Sequence, residues 1–360
     1  MNSAAVVKIR PTGAWRIGTD SGARDRVGLH YRSDALYSAV TLAFLRLGQL
    51  DDWLAATAQA PAPEVCFSSC FPFVNDLIYV PPPRSIWPPP SLSARVRWKG
   101  ARFVPLDVVD ALLSGGSLDD ALWGVDGASE CLVPLGQYGP YRLAVRTAAA
   151  MDRAGAGLEP HAAACLEFAA GSGFWFAIVF ANEEARSRWW EPLQTALRYL
   201  ADSGVGGERS RGWGRFEIAE VVEGVLAPML LPRASQLLEA AETAPGGAPA
   251  ERSYWLLSLY IPASGEPVRW DAGLYSVVAR GGRVESPLAH GVLKKLQNMV
   301  AEGSVLVAAL PPRGRASNVA PDGVPHPVYR AGFAVAVPIL AQPFVPAVVP
   351  VELPPAEEVA

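Results

Sequence analysis

The sequence predicts a mixed α+β chain whose first half runs strand–helix–strand–strand–helix–strand, and three observations carry that reading. Short apolar segments with strand-type patterning recur between clusters of Gly, Pro, Asn and Ser. Two segments, near 33–47 and 183–203, show helical spacing instead. Gly 33 and Pro 33 among 360 residues punctuate the chain into many short elements. Half of the residues are apolar and only 18% are charged, which excludes a disordered chain. The length suits two domains.

In order, the segment 4–11 is a strand whose Val7 and Ile9 alternate with Lys8 and Arg10. A Gly-rich basic loop follows to residue 32. Ser33 then reads as the N-cap of a helix, with Asp34 at its positive end and Gly48 at its stop. Its apolar residues surround the cylinder, so burial on all sides is expected. Strand-like runs come at 65–74 and 77–80, then a proline run at 81–90. Residues 91–160 read as irregular, with a short strand at 141–147. The strands 164–170 and 173–181 are joined by the turn signal Gly-Ser-Gly, and a helix from Glu183 to Ser203 carries Trp189, Leu193, Leu197 and Leu200. A strand at 215–223 closes a ferredoxin-like βαββαβ order, with an insertion of about 100 residues placed after the first helix. Residues 226–252 read as a linker. A second unit, 253–340, has strands near 254–261, 274–280, 303–310 and 333–339 and a helix from about 287 to 302. Residues 341–360 read as a Pro-rich flexible tail.

The four cysteines form no CxxC pair, and the N-terminus has no apolar signal segment, so a soluble cytoplasmic protein is expected. The apolar run 331–351 is broken by Pro338, Pro343, Pro346 and Pro350, which argues against a membrane span. Cys66 and Cys70 read as buried structural residues. No Walker loop, HExxH, GxSxG or GxGxxG anchors an enzyme class, and no cofactor or metal site is expected. Asp34 is explained by its helix start.

Anion binding is better supported. The segment 202–216 has glycines at 204, 206, 207, 212 and 214 beside Arg209, Ser210, Arg211 and Arg215. Glycines let backbone N–H groups approach phosphates at positive φ, arginines neutralise charge, and Trp213 offers a stacking face. Net charge is −4, yet it is segregated. Residues 1–33 carry a local +4 that includes Arg16, Arg24 and Arg26. Residues 84–102 carry Arg84, Arg95, Arg97, Lys99 and Arg102 with no acid, and Trp87 and Trp98 lie among them. Residues 280–295 carry a local +3, whereas 107–130 hold six acids and no base. This is the distribution of a polyanion groove with a separate partner-facing surface.

The segments 29–40 (LHYRSDALYSAV), 200–217 (LADSGVGGERSRGWGRFE), 274–284 (LYSVVARGGRV), 302–307 (EGSVLV) and 326–338 (HPVYRAGFAVAVP) occur in that order. Together they resemble the RAMP (repeat-associated mysterious protein) superfamily of CRISPR systems, Cas-five group, and more narrowly the fourth Csm subunit of type III-A effector complexes. The resemblance implies two ferredoxin-like (RRM-like) units, 1–225 and 253–340, with a thumb insertion at about 84–160. It implies a non-catalytic subunit of a hetero-oligomeric ribonucleoprotein. Such a subunit clamps the 5′ handle of the CRISPR RNA (crRNA), meets target RNA only indirectly, and bridges the large Cas-ten subunit and the backbone RAMP subunit. It also places Gly204, Gly206, Gly207, Arg209, Ser210, Arg211, Gly212 and Gly214 on an RNA-facing loop. His30, Ser33 and Asp34 fall on a helix start, and Arg280, Gly281, Gly282 and Arg283 on a C-terminal loop. His326 and Arg330 fall on an HPVYR motif, and Arg142, Arg146 and Arg153 on the thumb. The alternatives are a RAMP endoribonuclease processing precursor crRNA, using His30, or cutting target RNA through Asp34, and a pure scaffold.

Overall fold

The computed structural model describes residues 3–19, 23–89, 96–151, 158–243, 251–286, 288 and 291–340. Arg95, Arg153 and the 341–360 tail lie outside them.

β1 (Ser3–Pro11) is the centre of the first sheet, antiparallel to both β10 (Ser172–Phe180) and β11 (Phe216–Val225). Beyond β10 come β2 (Val65–Phe67) and β3 (Phe71–Val74), then β4 (Leu77–Val80) and β5 (Val104–Pro105), so the path runs β11-β1-β10-β3-β4-β5. All but one residue of β10 are buried, as expected of a strand covered on both faces. Helix α1 (Ser33–Arg46), helix α2 (Leu50–Ala56) and the 21-residue helix at Glu183–Ser203 meet through Phe44, Trp53 and Trp189, whose rings lie 4.7–5.7 Å apart. Elsewhere Trp15 packs on Phe174 and Phe216 and donates its indole N–H to Arg215 O.

The helix at Glu183–Ser203 ends where its sequence signals put it. Asn182 Oδ1 accepts from Ala185 N at 2.8 Å, and Gly204 leaves at φ +79°. Helix α1 departs from expectation at its start. Arg32 occupies the cap position with no side-chain capping bond. Ser33 instead donates its N–H to Ser69 Oγ and accepts from Leu259 N with its hydroxyl. Nor is α1 covered on every side, since Leu42 and Leu45 face open grooves.

The long insertion also sits elsewhere than expected. The second strand of the βαββ order is β3, so the excursion enters between the second and third strands, not after the first helix. It contains α3 (Leu106–Leu113), the hairpin β6–β7 (Trp123–Asp126, Cys131–Pro134) and the hairpin β8–β9 (Tyr141–Met151, Leu158–Phe168). The Gly-Ser-Gly turn therefore delivers the chain from one sheet to another: β9 pairs with β8, and β10 with β1. The period-two pattern fixed the strands but carried no information on their partners.

Numbering the Glu183–Ser203 helix α4, the expected linker holds α5 (Leu226–Leu230) and α6 (Pro232–Thr243). Asp110 of the acidic 107–130 segment is buried and accepts from Arg233 N and Ala234 N at the start of α6. The second sheet runs β13-β16-β12-β19, from β12 (Arg252–Leu256), β13 (Val268–Leu274), β16 (Val305–Ala308) and β19 (Ala336–Ile339). No helix is found among its described residues. Two ribbons stand between its strands instead: β14–β15 (Val277–Arg280, Gln297–Val300) and β17–β18 (Gly314–Asn318, Tyr329–Phe333). The expected helix at 287–302 fails because Gly291 sits at φ +79° and Leu288, Leu293 and Leu296 are exposed rather than packed.

One core joins both sheets, running from Val7 and Trp175 to Trp255, Phe333 and Val337. Trp255 donates its indole N–H to Pro81 O at 3.0 Å, and Tyr37 meets Phe333 edge-on. No described helix is long and apolar enough to cross a membrane.

Candidate nucleic-acid interface

The glycine loop after α4 is shaped by its own packing. Gly204, Gly206, Gly212 and Gly214 all have φ between +77° and +79°. A Cβ on Gly214 would lie 1.9 Å from Val205 O, and one on Gly206 would lie 2.4 Å from Arg16 O. Several loop amides are already used internally: Gly204 N to Leu200 O, Gly207 N to Arg16 O, Gly212 N to Arg209 O and Gly214 N to Ala14 O. The glycines thus serve the turn more than they cradle an anion with their amides. What the loop presents is side chains: Arg209, Ser210, Arg211 and Trp213.

A 3-10 turn at Arg209–Arg211 sends its two arginines to different neighbours. Arg209 pairs with Glu285 beside the C-terminal Arg-Gly-Gly-Arg loop. Arg211 reaches His161 on β9 and also pairs with Glu208. Arg146 of β8 lies over the Trp213 ring at 5.8 Å. The loop is therefore wedged between the C-terminal unit and the root of the β8–β9 hairpin.

That root is organised by Arg16, which is 7% exposed. Its guanidinium donates to Ala164 O (2.8 Å), Arg24 O (2.9 Å) and Ala23 O (2.9 Å), so a buried cation is satisfied by carbonyls. The loop it gathers turns the side chains of Arg24 and Arg26 outward. Arg142 and Arg146 stand on the hairpin, each donating Nε–H and Nη2–H to its own oxygen of Glu167, whose carboxyl these hydrogen bonds hold below the usual range. Sequence reasoning counted Arg16 among surface bases; only the fold reveals it as a pin.

On the other side of the glycine loop lies a groove of about 720 Å³. Helix α1 contributes Asp34, Ser38 and Arg46, and α4 contributes Tyr199 and Ser203. Gly204, Gly206 and Arg209 form one wall, and Arg280, Gly281, Glu285, Lys294 and Arg330 another. Five cations against two acids leave it positive. Asp34 is buried under two of them, taking Arg280 at 3.1 and 3.2 Å and Arg330 as well. Burial opposes its charge, but the two guanidiniums win and hold the carboxyl below its ordinary value. Arg330 also donates to Gly281 O, so the HPVYR motif locks the Arg-Gly-Gly-Arg loop onto the start of α1. Arg283 donates to Gly291 O, and Gly282 takes φ +132°. His326 of the same motif bonds Ser286 Oγ at 2.7 Å. Among the described residues no acid partners Lys294 or Arg46, and burial lowers the Lys294 ammonium from its usual pKa.

His30 is not at this groove. It lies 4% exposed between Phe71 and Phe103, with Nε2 3.3 Å from Glu302 Oε1. Burial pulls its pKa down to about 4, so at neutral pH it is an uncharged donor to Glu302. Glu302 is buried yet held below the usual carboxylate range, because Arg32 (2.9 Å), His30 and Ser69 (2.6 Å) all face it. Ser33 is likewise buried, used between Ser69 and Leu259. Trp98 is fully buried and stacked on Trp87, so it is a core residue. Cys70, Cys131 and Cys165 are buried free thiols, and burial pushes the Cys66 thiol up to about 12. Among the described residues no cluster of three His, Cys, Asp or Glu converges on a metal position.

Comparison with known proteins follows the same outline. Residues 250–339 match the family model of the CRISPR Csm4 C-terminal domain. No curated protein matches the chain. A chain from the crystal structure of a Csm3–Csm4 subcomplex of the type III-A CRISPR-Cas interference complex is similar at 15% identity and TM-score 0.58, over 95% of this chain and 100% of that one. A chain from a Csm1–Csm4 cassette in complex with pppApA is similar at 17% identity and TM-score 0.56, over 95% and 99%. The corresponding cassette with cA4 gives 16% and 0.55, over 94% and 99%. Residues 250–339 thus match the Csm4 C-terminal domain, and nearly the whole length of the chain shares the fold of those chains from Csm complexes.

Proposed function

We propose that the protein is a non-catalytic RNA-binding subunit of a type III CRISPR effector ribonucleoprotein of the Csm type. In this reading it clamps the 5′ handle of crRNA and joins Csm1, the large Cas-ten-type subunit, to the backbone RAMP subunit Csm3. The relatives it resembles in fold come from complexes with those two partners. The two sheets are then variants of a ferredoxin-like unit, the second with ribbons in place of helices.

One observation carries the RNA reading. Three segments far apart in sequence, at 31–34, 204–214 and 280–285, meet at one positive groove beside a protruding arginine-bearing hairpin. Arginines there would hold phosphates, and Trp213 would offer a face to a splayed base. The enzymatic alternatives find less support. His30 is only 4% exposed, with its Nε2 engaged by Glu302, and both oxygens of Asp34 are occupied by arginines. A general base needs an open path to the 2′-hydroxyl, and a metal needs an open carboxylate.

The test is purification of the protein with the products of its genomic neighbours, followed by sequencing of bound RNA and crosslinking. Short RNAs sharing one 5′ end, crosslinked within 204–215, are expected. The double change Arg209→Ala, Arg211→Ala should weaken RNA retention at least tenfold and flatten its salt dependence. Unchanged retention with an unchanged salt slope would leave a scaffold.

A further inference from the structure

The strand-like stretch before α1 alternates between two cavities. Tyr31 and Asp34 line the groove just described, whereas His30 and Arg32 line a second cavity of about 430 Å³. Extended backbone points successive side chains to opposite sides, and Arg32 has φ −73° and ψ 154°. The second cavity is closed by the proline run on one side and by 276–278 and 301–303 on the other. Arg84 N donates to Gly303 O at 3.0 Å, so the two walls are tied to each other.

Four cations line it, Arg32, Arg84, Lys99 and Arg102, against the single acid Glu302. Arg32 is spent on Glu302, and Arg102 lies 3.9 Å from Glu130. Arg84 and Lys99 are exposed and have no acid partner among the described residues. Beside them is a flat apolar wall. Trp87 lines the cavity and stacks on the fully buried Trp98, with ring centroids 5.7 Å apart and planes 3° from parallel. Phe103 stands nearby. The size is that of a small-ligand site.

We propose that this cavity is a second single-stranded RNA site, one that takes a nucleotide with its phosphate on Arg84 and Lys99 and its base stacked against Trp87. An acidic peptide would use the two cations equally well, but it has no use for an aromatic platform whose back face is already braced by Trp98. Stacking on such a platform is tolerant of base identity. The proposal rests on the RNA-binding reading only for the class of ligand, since none of the cations that would hold the phosphate belongs to the glycine-loop groove.

The test uses the full-length chain and a fluorescently labelled oligoadenylate of six ribonucleotides, with binding followed by anisotropy across salt concentrations. Arg84→Ala with Lys99→Ala should weaken binding about tenfold and lower the slope of log K against log salt by about 1.4, two phosphate contacts at ~0.7 each. Trp87→Leu should weaken binding with the slope unchanged, and Arg84→Lys with Lys99→Arg should keep the slope. Binding that is unaltered by the double alanine change overturns the proposal. So does displacement of the RNA by oligoglutamate in a chain insensitive to Trp87→Leu, which would assign the cavity to an acidic protein segment. If RNA binding depends on Arg84 and Lys99 but not on Arg209 and Arg211, the cavity stands and the groove reading falls. The reverse pattern sinks the cavity alone.

Discussion

Two glycines two residues apart separate the demands made on the glycine loop. Gly212 and Gly214 share a positive φ, yet a Cβ on Gly212 meets nothing within 4 Å while one on Gly214 strikes backbone. Gly212→Ala should therefore cost only about 1 kcal/mol of left-handed strain. Gly214→Ala should cost several times more, because Val205 O cannot move without opening the turn, and urea denaturation would separate the two. His30 sets a pH dependence of definite sign. Its folded pKa of about 4 lies below the ordinary 6.5, so its stabilising effect is complete above pH 6.5 and lost as pH falls towards 4. Glu302, also held low, adds a further loss below its ordinary value near 4.5. Unfolding free energy should fall by about 2 kcal/mol from pH 7 to pH 5, at 1.36 kcal/mol per pKa unit. His30→Gln should flatten that slope, and a slope unchanged in the variant would contradict the assignment. Neither feature was legible in the sequence: the glycine pattern announced a loop, but a histidine's burial depends on Phe71 and Phe103, distant in the chain.

The hairpin β8–β9 carries the prediction that belongs to elements. Glu167 holds both Arg142 and Arg146, whose side chains are 77% and 50% exposed. Exposed pairs of this kind contribute about 0–1 kcal/mol, so Glu167→Gln should leave stability nearly untouched. If the hairpin lies against RNA, the same change should tighten RNA binding roughly threefold or more at low salt and steepen the salt slope. Looser binding in a filter or anisotropy assay would place the hairpin away from RNA. Element by element, the sequence was readable where local signals agree with packing. Helix α4 has a capping Asn182, buried Trp189, Leu193 and Leu200, and a terminal glycine. Residues 287–302 had the spacing without the packing, because their leucines face outward. Ser33 had the chemistry of a cap, but Leu259 from the second unit claims its hydroxyl. Local pattern cannot anticipate a competitor more than two hundred residues away.

At the scale of the whole molecule, the sequence divided the chain at 226–252, while the core runs across that division. Ser33, Tyr37, Ser69 and Pro81 of the first half each bond or pack against the second. The Asp34–Arg280–Arg330 cluster adds a buried charge link, which costs about 3–5 kcal/mol when one partner is removed. Scanning calorimetry should therefore show one cooperative transition for the full chain, and the fragment 1–243 should fail to fold. Two separate transitions would mean that the halves are independent. The segregation of charge was legible from the sequence. Which bases face outward was not: Arg16 was turned inward, and Glu285 and Glu167 were placed on arginines that a charge count treats as free.

The β8–β9 hairpin is joined to the rest of the protein by backbone hydrogen bonds at its root, at Leu166 and Ala164 on β9. Among the described residues its ladder beyond Ala164 is self-contained, each strand pairing only with the other. Its length is therefore a quantity that descent can alter without disturbing any register of the central sheet. Two residues added to each strand extend the arm by one pleat and keep every side chain on its face, whereas a single residue in one strand inverts all that follows. Lineages of this protein should accordingly vary the reach of the arm in even steps, with the pin at Arg16 left alone.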